Sequence, residues 1–195
     1  MGQIVLTDAT PVMYLAQVED GLSWLKEIFG WVAMTSTVRG ELLPIRDVPG
    51  KIAIKRALGN GILREIEDPW STPKFPQLGP GEESTIRAGI NLSRLGNSCL
   101  ILIDDKDGRR LLKTVSSETL AVSGTIAVVG RAKRLDLIPS AASVFEKLRR
   151  LGFRVSDDLV RSILDRVGET SEPWPPGRRR TAARKARLQR HTDRS

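Results

Sequence analysis

Residues 99–105 read Cys-Leu-Ile-Leu-Ile-Asp-Asp. An unbroken apolar run of this length, closed abruptly by two acids, is the pattern of a strand buried on both faces of a parallel sheet. The same grammar recurs on either side of it. Residues 3–7 (QIVLT) form a second apolar run that also ends in an acid, Asp8. Residues 31–35 (WVAMT), 62–66 and 119–123 (TLAVS) supply three more expected strands. Helical periodicity is read over residues 11–17, 20–29, 51–58, 82–95, 106–113, 124–134, 141–151 and 157–167. Ser36 is a suitable N-cap for a further helix that carries Glu41. Residues 68–81 hold four prolines together with Gly79 and Gly81, which marks a loop leading into the next helix. Strands that alternate with helices in this way predict an α/β domain, its central sheet mainly parallel and flanked by helices.

The 195 residues are 40% hydrophobic and 28% charged, as expected of one soluble globular domain. The formal charge is +8, and eight Lys/Arg against Asp193 in residues 178–195 account for +7 of it. The rest of the chain is therefore nearly neutral, and its basic character belongs to an Arg-rich end. Residues 1–167 are expected to form the domain, and residues 168–195 a flexible basic tail. A single cysteine, Cys99, excludes an intramolecular disulfide and fits a reducing cytoplasm; within its apolar run it reads as a buried inert thiol. Neither a signal peptide nor a run approaching a membrane span of ~20 residues is read in the sequence. The one histidine, His191, sits in the tail, so no Ser/His/Asp triad can be assembled, and no phosphate-binding loop of the GxxxxGK[ST] type occurs. Trp24 and Trp31 are expected in the core, and Trp70 as a loop anchor.

In an open α/β sheet, ligands bind beyond the carboxyl ends of the strands. Asp8 closes one strand, and Asp104 and Asp105 close another. Glu41 follows the second strand by less than two helical turns, while Glu82 and Glu83 open the helix that leads into residues 99–103. Each acid has an ordinary use by itself, as an N-cap or as a first-turn residue facing the helix dipole. Together they place carboxylates from four segments at one sheet edge. Such a cluster disfavours its own ionisation without a counter-cation, and oxygen-only ligands select hard ions such as Mg²⁺ or Mn²⁺. The chemistry implied is hydrolysis of a phosphodiester by water.

The context of each acid adds a resemblance. QIVLTDATPVMYLA resembles the opening of PIN-domain nucleases of the VapC-like kind, and TSTVRGEL resembles their second acidic motif. GPGEESTIRAG, LILIDDKDGRR and SGTIAVVGRAKRLDLIPS are similar to later motifs of one subfamily, and LRRLGFRVSDDLVRSIL to its closing helices. The resemblance covers roughly residues 3–167. It implies a PIN-like fold and a Mg²⁺- or Mn²⁺-dependent endoribonuclease. It makes Asp8, Glu41, Glu82 and Asp104 the catalytic, metal-holding acids, with Glu83 and Asp105 as alternatives for the inward-facing carboxylate. Thr10 and Thr125 would supply hydroxyls near metal or phosphate, and Arg109, or Arg110, would contact substrate phosphate. Many such proteins are homodimeric toxins that cut RNA and are held in check by a small antitoxin partner. Ala9 departs from the pattern, standing where the family has a hydroxyl residue after its first acid. Further basic groups that could line a groove are Arg131, Lys133, Arg134, Arg149 and Arg150. The rival readings are a non-catalytic nucleic-acid-binding protein of the same fold, using its Arg-rich tail, and more distantly a phospho-acceptor domain built on Asp104-Asp105.

Overall fold

The computed structural model describes residues 2–44, 47–69, 75–115 and 118–169. Its centre is a five-stranded sheet of β1 (Ile4–Thr7), β2 (Val32–Thr35), β3 (Leu63–Ile66), β4 (Cys99–Leu102) and β5 (Leu120–Ser123). The strands lie in the order β3-β2-β1-β4-β5, and every pairing is parallel. Around it, among the described residues, run α1 (Ala9–Leu15), α2 (Gly21–Phe29), α3 (Ser36–Leu42), α4 (Lys51–Gly59) and α5 (Pro80–Arg94). They are followed by α6 (Lys106–Thr114), α7 (Thr125–Arg134), α8 (Ala141–Arg150) and α9 (Asp157–Arg166).

Side chains of a strand alternate between its two faces, and here both faces are covered. Leu6, Ile101 and Ile103 pack with Ile86 of α5 and Leu112 of α6. Val5, Met34 and Leu102 point the other way, into a larger core with Val12, Leu25, Val129 and Phe145. Two-sided burial is the reason the strands read as continuous apolar runs rather than alternating ones. Leu6, Ile101 and Leu102 are wholly buried, and each such side chain contributes roughly 1.5–3 kcal/mol. A slip of one residue would exchange the two faces of a strand, so the register of β1 against β4 is firmly set. Ile4 pairs with Cys99 and Thr7 with Leu102. The acids that follow β1 and β4 are thereby brought level at one edge.

The expected strands all form, including β3, an edge strand with Leu63 buried and Arg64 and Glu65 exposed. Helix starts differ in detail. The first helix begins at Ala9 rather than at residue 11, because Asp8 itself is the N-cap. Thr35, not Ser36, caps α3, its hydroxyl accepting from the Val38 N–H. Trp24 is in the core, whereas Trp31 is half-buried beneath the guanidinium of Arg64, 4.7 Å from its ring centre. Trp70 and residues 170–195, with His191 and the Arg-rich segment, lie outside the described residues.

Glu169, read from sequence as part of the tail, closes the first turn of α8. Its carboxylate accepts from the N–H groups of Ala141 (2.8 Å) and Ala142 (2.9 Å) and from the Ser140 hydroxyl (3.0 Å). Burial alone would raise its pKa. The Ala142 and Ala141 N–H groups, the Ser140 hydroxyl and Lys133 outweigh that effect and hold the pKa below its ordinary value. A depressed carboxyl pKa contributes stability above the unfolded-state value and loses it as pH falls through the folded-state value. Glu169→Ala is therefore expected to cost about 1–2 kcal/mol at neutral pH. In urea titrations at stepped pH, the gap from the parent protein should close as the medium becomes more acidic than the carboxylate range. A gap that stays constant with pH would deny the carboxylate this role.

Candidate active site

The chain reverses its direction of travel across the sheet between β1 and β4, and in open α/β sheets ligands bind beyond the strand ends at such a point. Asp8 stands there, directly after the central strand, and is only 2% exposed. Its backbone N–H donates to the Leu102 carbonyl (3.0 Å), carrying the β1–β4 ladder one residue past the strand. Its carboxylate accepts from the Thr10 N–H (3.3 Å). Burial pushes the Asp8 carboxyl above its ordinary pKa; N–H groups of Ala9 and Thr10 pull it down, and the charge of Glu41 raises it again. The Thr10 hydroxyl is a further, weaker stabilising partner of the same carboxylate.

Glu41 lies in the last turn of α3, and its Oε1 accepts from the Gly81 N–H (2.9 Å). That N–H is one of the unsatisfied donors in the first turn of α5, at the positive end of the helix. The Glu41 carboxylate lies so close that a Cβ on residue 81 would overlap it, which is why glycine stands there. Glu82 reaches back to the Gly79 N–H with Oε2 (3.0 Å), the reciprocal half of a helix-capping arrangement. Its pKa is raised first by burial and then by Asp105, Asp8 and Asp107. That of Glu41 is raised by burial and by Glu82. Glu83 turns elsewhere, accepting from the Phe75 N–H (3.1 Å) and lying 4.0 Å from Arg87. Of the two adjacent glutamates, Glu82 is the one that shares a field with Asp8.

The acids after β4 divide in a comparable way. Asp105 caps α6, its Oδ1 accepting from the N–H groups of Asp107 and Gly108 (both 2.8 Å), and its charge is felt by Glu82. Asp104 has both oxygens engaged by one residue: Oδ1 with the Thr125 N–H (2.9 Å) and Oδ2 with the Thr125 hydroxyl (2.5 Å). Burial raises its pKa, against the pull of Thr125 and of the Arg109 charge. Gly124 permits this contact, since a Cβ there would stand 2.5 Å from Asp104 Oδ1. Asp8, Glu41, Glu82 and Asp105 thus repel one another, while Asp104 is tied to Thr125 and Arg109.

Two positions that sequence reading passed over hold α3 against α5. The Thr35 and Ser84 hydroxyls are 2.6 Å apart, and Ser84 donates to the Gly81 carbonyl (2.9 Å). When the single Ser84 hydroxyl proton goes to the Gly81 carbonyl, Thr35 is the donor of the pair, and Thr35 also accepts from the Val38 N–H. Thr35 and Ser84 are buried. The signal for Thr35 was its place between strand and helix; nothing local marks Ser84.

Of the basic residues named from the sequence, Arg131 and Arg134 are exposed, and three others have partners. Arg149 is paired with Asp157, Arg150 with Glu146 at 3.0 Å, and Lys133 donates to the Pro139 carbonyl (2.9 Å) beside Glu169. Arg109 is half-buried next to Asp104, at the mouth of a cleft of about 620 Å³. Arg110 is exposed and 3.7 Å from Asp107.

The site thus sets one buried carboxylate, Asp8, and further, less buried acids at the switch point of a five-stranded parallel sheet. The PIN-domain family described as DUF3368 matches residues 4–169. The chain belongs to the PIN-domain family. No curated protein and no solved structure matches it. PIN domains generally carry metal-dependent nuclease chemistry, so the carboxylates have to be tested as hosts for a hard divalent cation. Their donor chemistry fits, being all oxygen, and so does their mutual repulsion, which a cation would relieve. Among the described residues, however, no three of them close on a single point as a ligand set.

Thr125 is wholly buried, and among the described residues its hydroxyl is the only side-chain hydrogen-bond donor to Asp104. Thr125→Val should lower unfolding free energy by about 1–3 kcal/mol, the usual cost of leaving a buried acceptor short of a partner. Thr125→Ser should recover most of that loss in denaturant titrations. Equal losses in the two variants would show that methyl packing, not the hydroxyl, is what matters there.

Proposed function

We propose that this PIN domain is a Mg²⁺- or Mn²⁺-dependent endoribonuclease, with Asp8, Glu41, Glu82 and Asp105 facing the cation and Asp104 positioned beside them. The observation that carries the reading is the burial of Asp8 among acids that raise one another's pKa. A helix cap alone needs none of this, because Asn or Ser would cap α1 without a buried charge. A divalent cation bound there would neutralise charge developing on the phosphate and lower the pKa of water.

The chain's own residues do the holding. Backbone N–H groups fix one oxygen each of Glu41, Glu82 and Asp105 and, among the described residues, leave the second oxygen of each without a hydrogen bond. Each carboxylate is thereby aimed before any ligand arrives, which lowers the entropy lost on binding. Each Asp104 oxygen accepts one hydrogen bond from Thr125 and keeps a further lone pair, and the carboxylate stands beside Arg109, so Asp104 both borders the acidic edge and positions Arg109. Guanidinium matches phosphate in shape and charge, so Arg109 is placed to contact the scissile group. Thr10 acts by supporting Asp8. A toxin paired with an antitoxin, homodimeric and cytoplasmic, is the biological setting that the sequence resemblance favours. No helix among the described residues is long and apolar enough to cross a membrane.

Purified full-length protein is expected to cleave a mixed RNA pool with Mn²⁺, and EDTA should stop it. Asp8→Asn should lose cleavage by at least a hundredfold while unfolding at equal or higher denaturant, since it removes a buried charge and keeps an N-cap. Retention of cleavage by Asp8→Asn would remove that residue from the chemistry. Salt-sensitive RNA binding without any cleavage in several metals would favour the binding-only alternative.

Gly81→Ala offers a separate check. The atoms nearest to the added methyl are the far end of the Glu41 side chain, and alanine in a helix is worth about 1 kcal/mol over glycine. The variant should fold at least as stably as its parent, yet cleave at least tenfold more slowly because Glu41 has been displaced. Full activity in Gly81→Ala would mean that the position of Glu41 is immaterial.

A further inference from the structure

Resting on the nuclease reading above, we propose that the cleft beside Asp104 seats the RNA strand flanking the scissile bond, single-stranded and with a base turned onto its floor. The cleft lies between α6 and the connection from α8 to α9 and has a volume of about 620 Å³. That is room for about one or two nucleotides by comparison with ordinary ligand pockets. One wall is a stripe of Lys106, Arg109, Arg110 and Lys113, spaced as successive turns of a single helix face. Arg154 faces them from the opposite side, and Asp104 is the one acid in the lining. Because the chain without residues 178–195 is nearly neutral, five cations against one acid in a single cleft form a marked local concentration.

The neighbouring acids do not cancel it. Asp157 is paired with Arg149, and Asp158 lies 3.8 Å from Arg161, which leaves Arg154 and Lys106 outside any ion pair among the described residues. Arg110 has only the exposed contact with Asp107 at 3.7 Å, which holds it weakly. The α6 stripe spans about 10 Å along the helix, enough to follow consecutive phosphates. The floor is apolar, made by Ile126, Phe153 and Leu159. A base face can lie on such a floor only when it is unpaired and unstacked, which selects a single strand over a duplex. Arg109 joins the two regions, since it both lines the cleft and stands by Asp104.

The test uses the full-length chain in EDTA, with anisotropy of a short labelled single-stranded RNA read against salt. The variant Lys106→Ala/Lys113→Ala/Arg154→Ala changes three exposed side chains of the cleft. It should bind about tenfold more weakly near 0.1 M salt, and its log–log salt slope should fall by about two, at roughly 0.7 per lost contact. Lys26→Ala/Lys55→Ala/Lys147→Ala, three exposed lysines on α2, α4 and α8, should leave both quantities unchanged. Unaltered binding by the cleft variant, or an equal loss from the remote one, would overturn the proposal. So would a duplex of the same sequence competing as well as the single strand, or a polyglutamate peptide occupying the cleft in preference to RNA. RNA bound through the cleft but never cut would sink the nuclease reading and uphold this one. RNA cut by the cleft variant with unchanged KM would do the reverse.

Discussion

A carboxylate kept almost dry at the end of the central strand is the constraint around which this site is arranged. Asp8 is held there by the β1–β4 ladder, which runs through its own backbone N–H to the Leu102 carbonyl. Removing a charge from water is costly unless polar partners replace the solvent. The N–H groups of Ala9 and Thr10 replace part of it, but the nearest other charges are acids, and they add to the cost. The surrounding structure therefore supplies donors wherever it can. The first turn of α5 gives Gly81 N–H to Glu41, the turn before it gives Gly79 N–H to Glu82, and the first turn of α6 gives two N–H groups to Asp105. With the Thr10 N–H on Asp8 and the Thr125 N–H on Asp104, the beginnings of α1, α5, α6 and α7 each present N–H groups to an acid at this edge.

The sheet was legible because its strands are buried on both faces. Continuous runs such as IVLT and CLIL leave little choice of structure, and their abrupt acidic ends mark where the edge lies. The candidates Asp8 and Glu82 could be named for the same reason, each standing at a strand-to-helix or loop-to-helix junction, and Glu41 because it follows β2 by less than two helical turns. Sequence was poorer at choosing between neighbours. Glu82 and Glu83 are equivalent as first-turn acids, and only the fold shows that Phe75 N–H and Arg87 draw Glu83 away. Asp104 and Asp105 are likewise separated by partners distant in sequence, Thr125 for one and the α6 turn for the other.

Some of the site could not be read from local pattern at all. The Thr35–Ser84 contact joins residues 49 apart, and no spacing rule relates them. Basic residues were the hardest to place. Arg149, Arg150 and Lys133 look as available in sequence as Lys106 or Arg154, yet ion pairs and a carbonyl occupy them. Whether a surface arginine is free or committed depends on which acid the tertiary fold brings beside it. The α6 stripe is visible at helical spacing in retrospect, but its significance lies in Arg154 standing opposite, and that arises from a different part of the chain.

The acidic edge and the basic cleft meet at Asp104 and Arg109, and their opposition carries an argument of its own. A phosphodiester approaching Asp8, Glu41, Glu82 and Asp105 is repelled by all four at once. The cleft can draw the flanking phosphates in, but Coulomb attraction to exposed cations is screened beyond about 8–10 Å at ordinary salt. Attraction in the cleft therefore cannot by itself bring the scissile group against the acids. A cation at the acidic edge would remove the repulsion and allow the strand to run from one region into the other. Binding of the strand and occupation of the acidic edge should accordingly reinforce each other, with Arg109 at the junction sensitive to both.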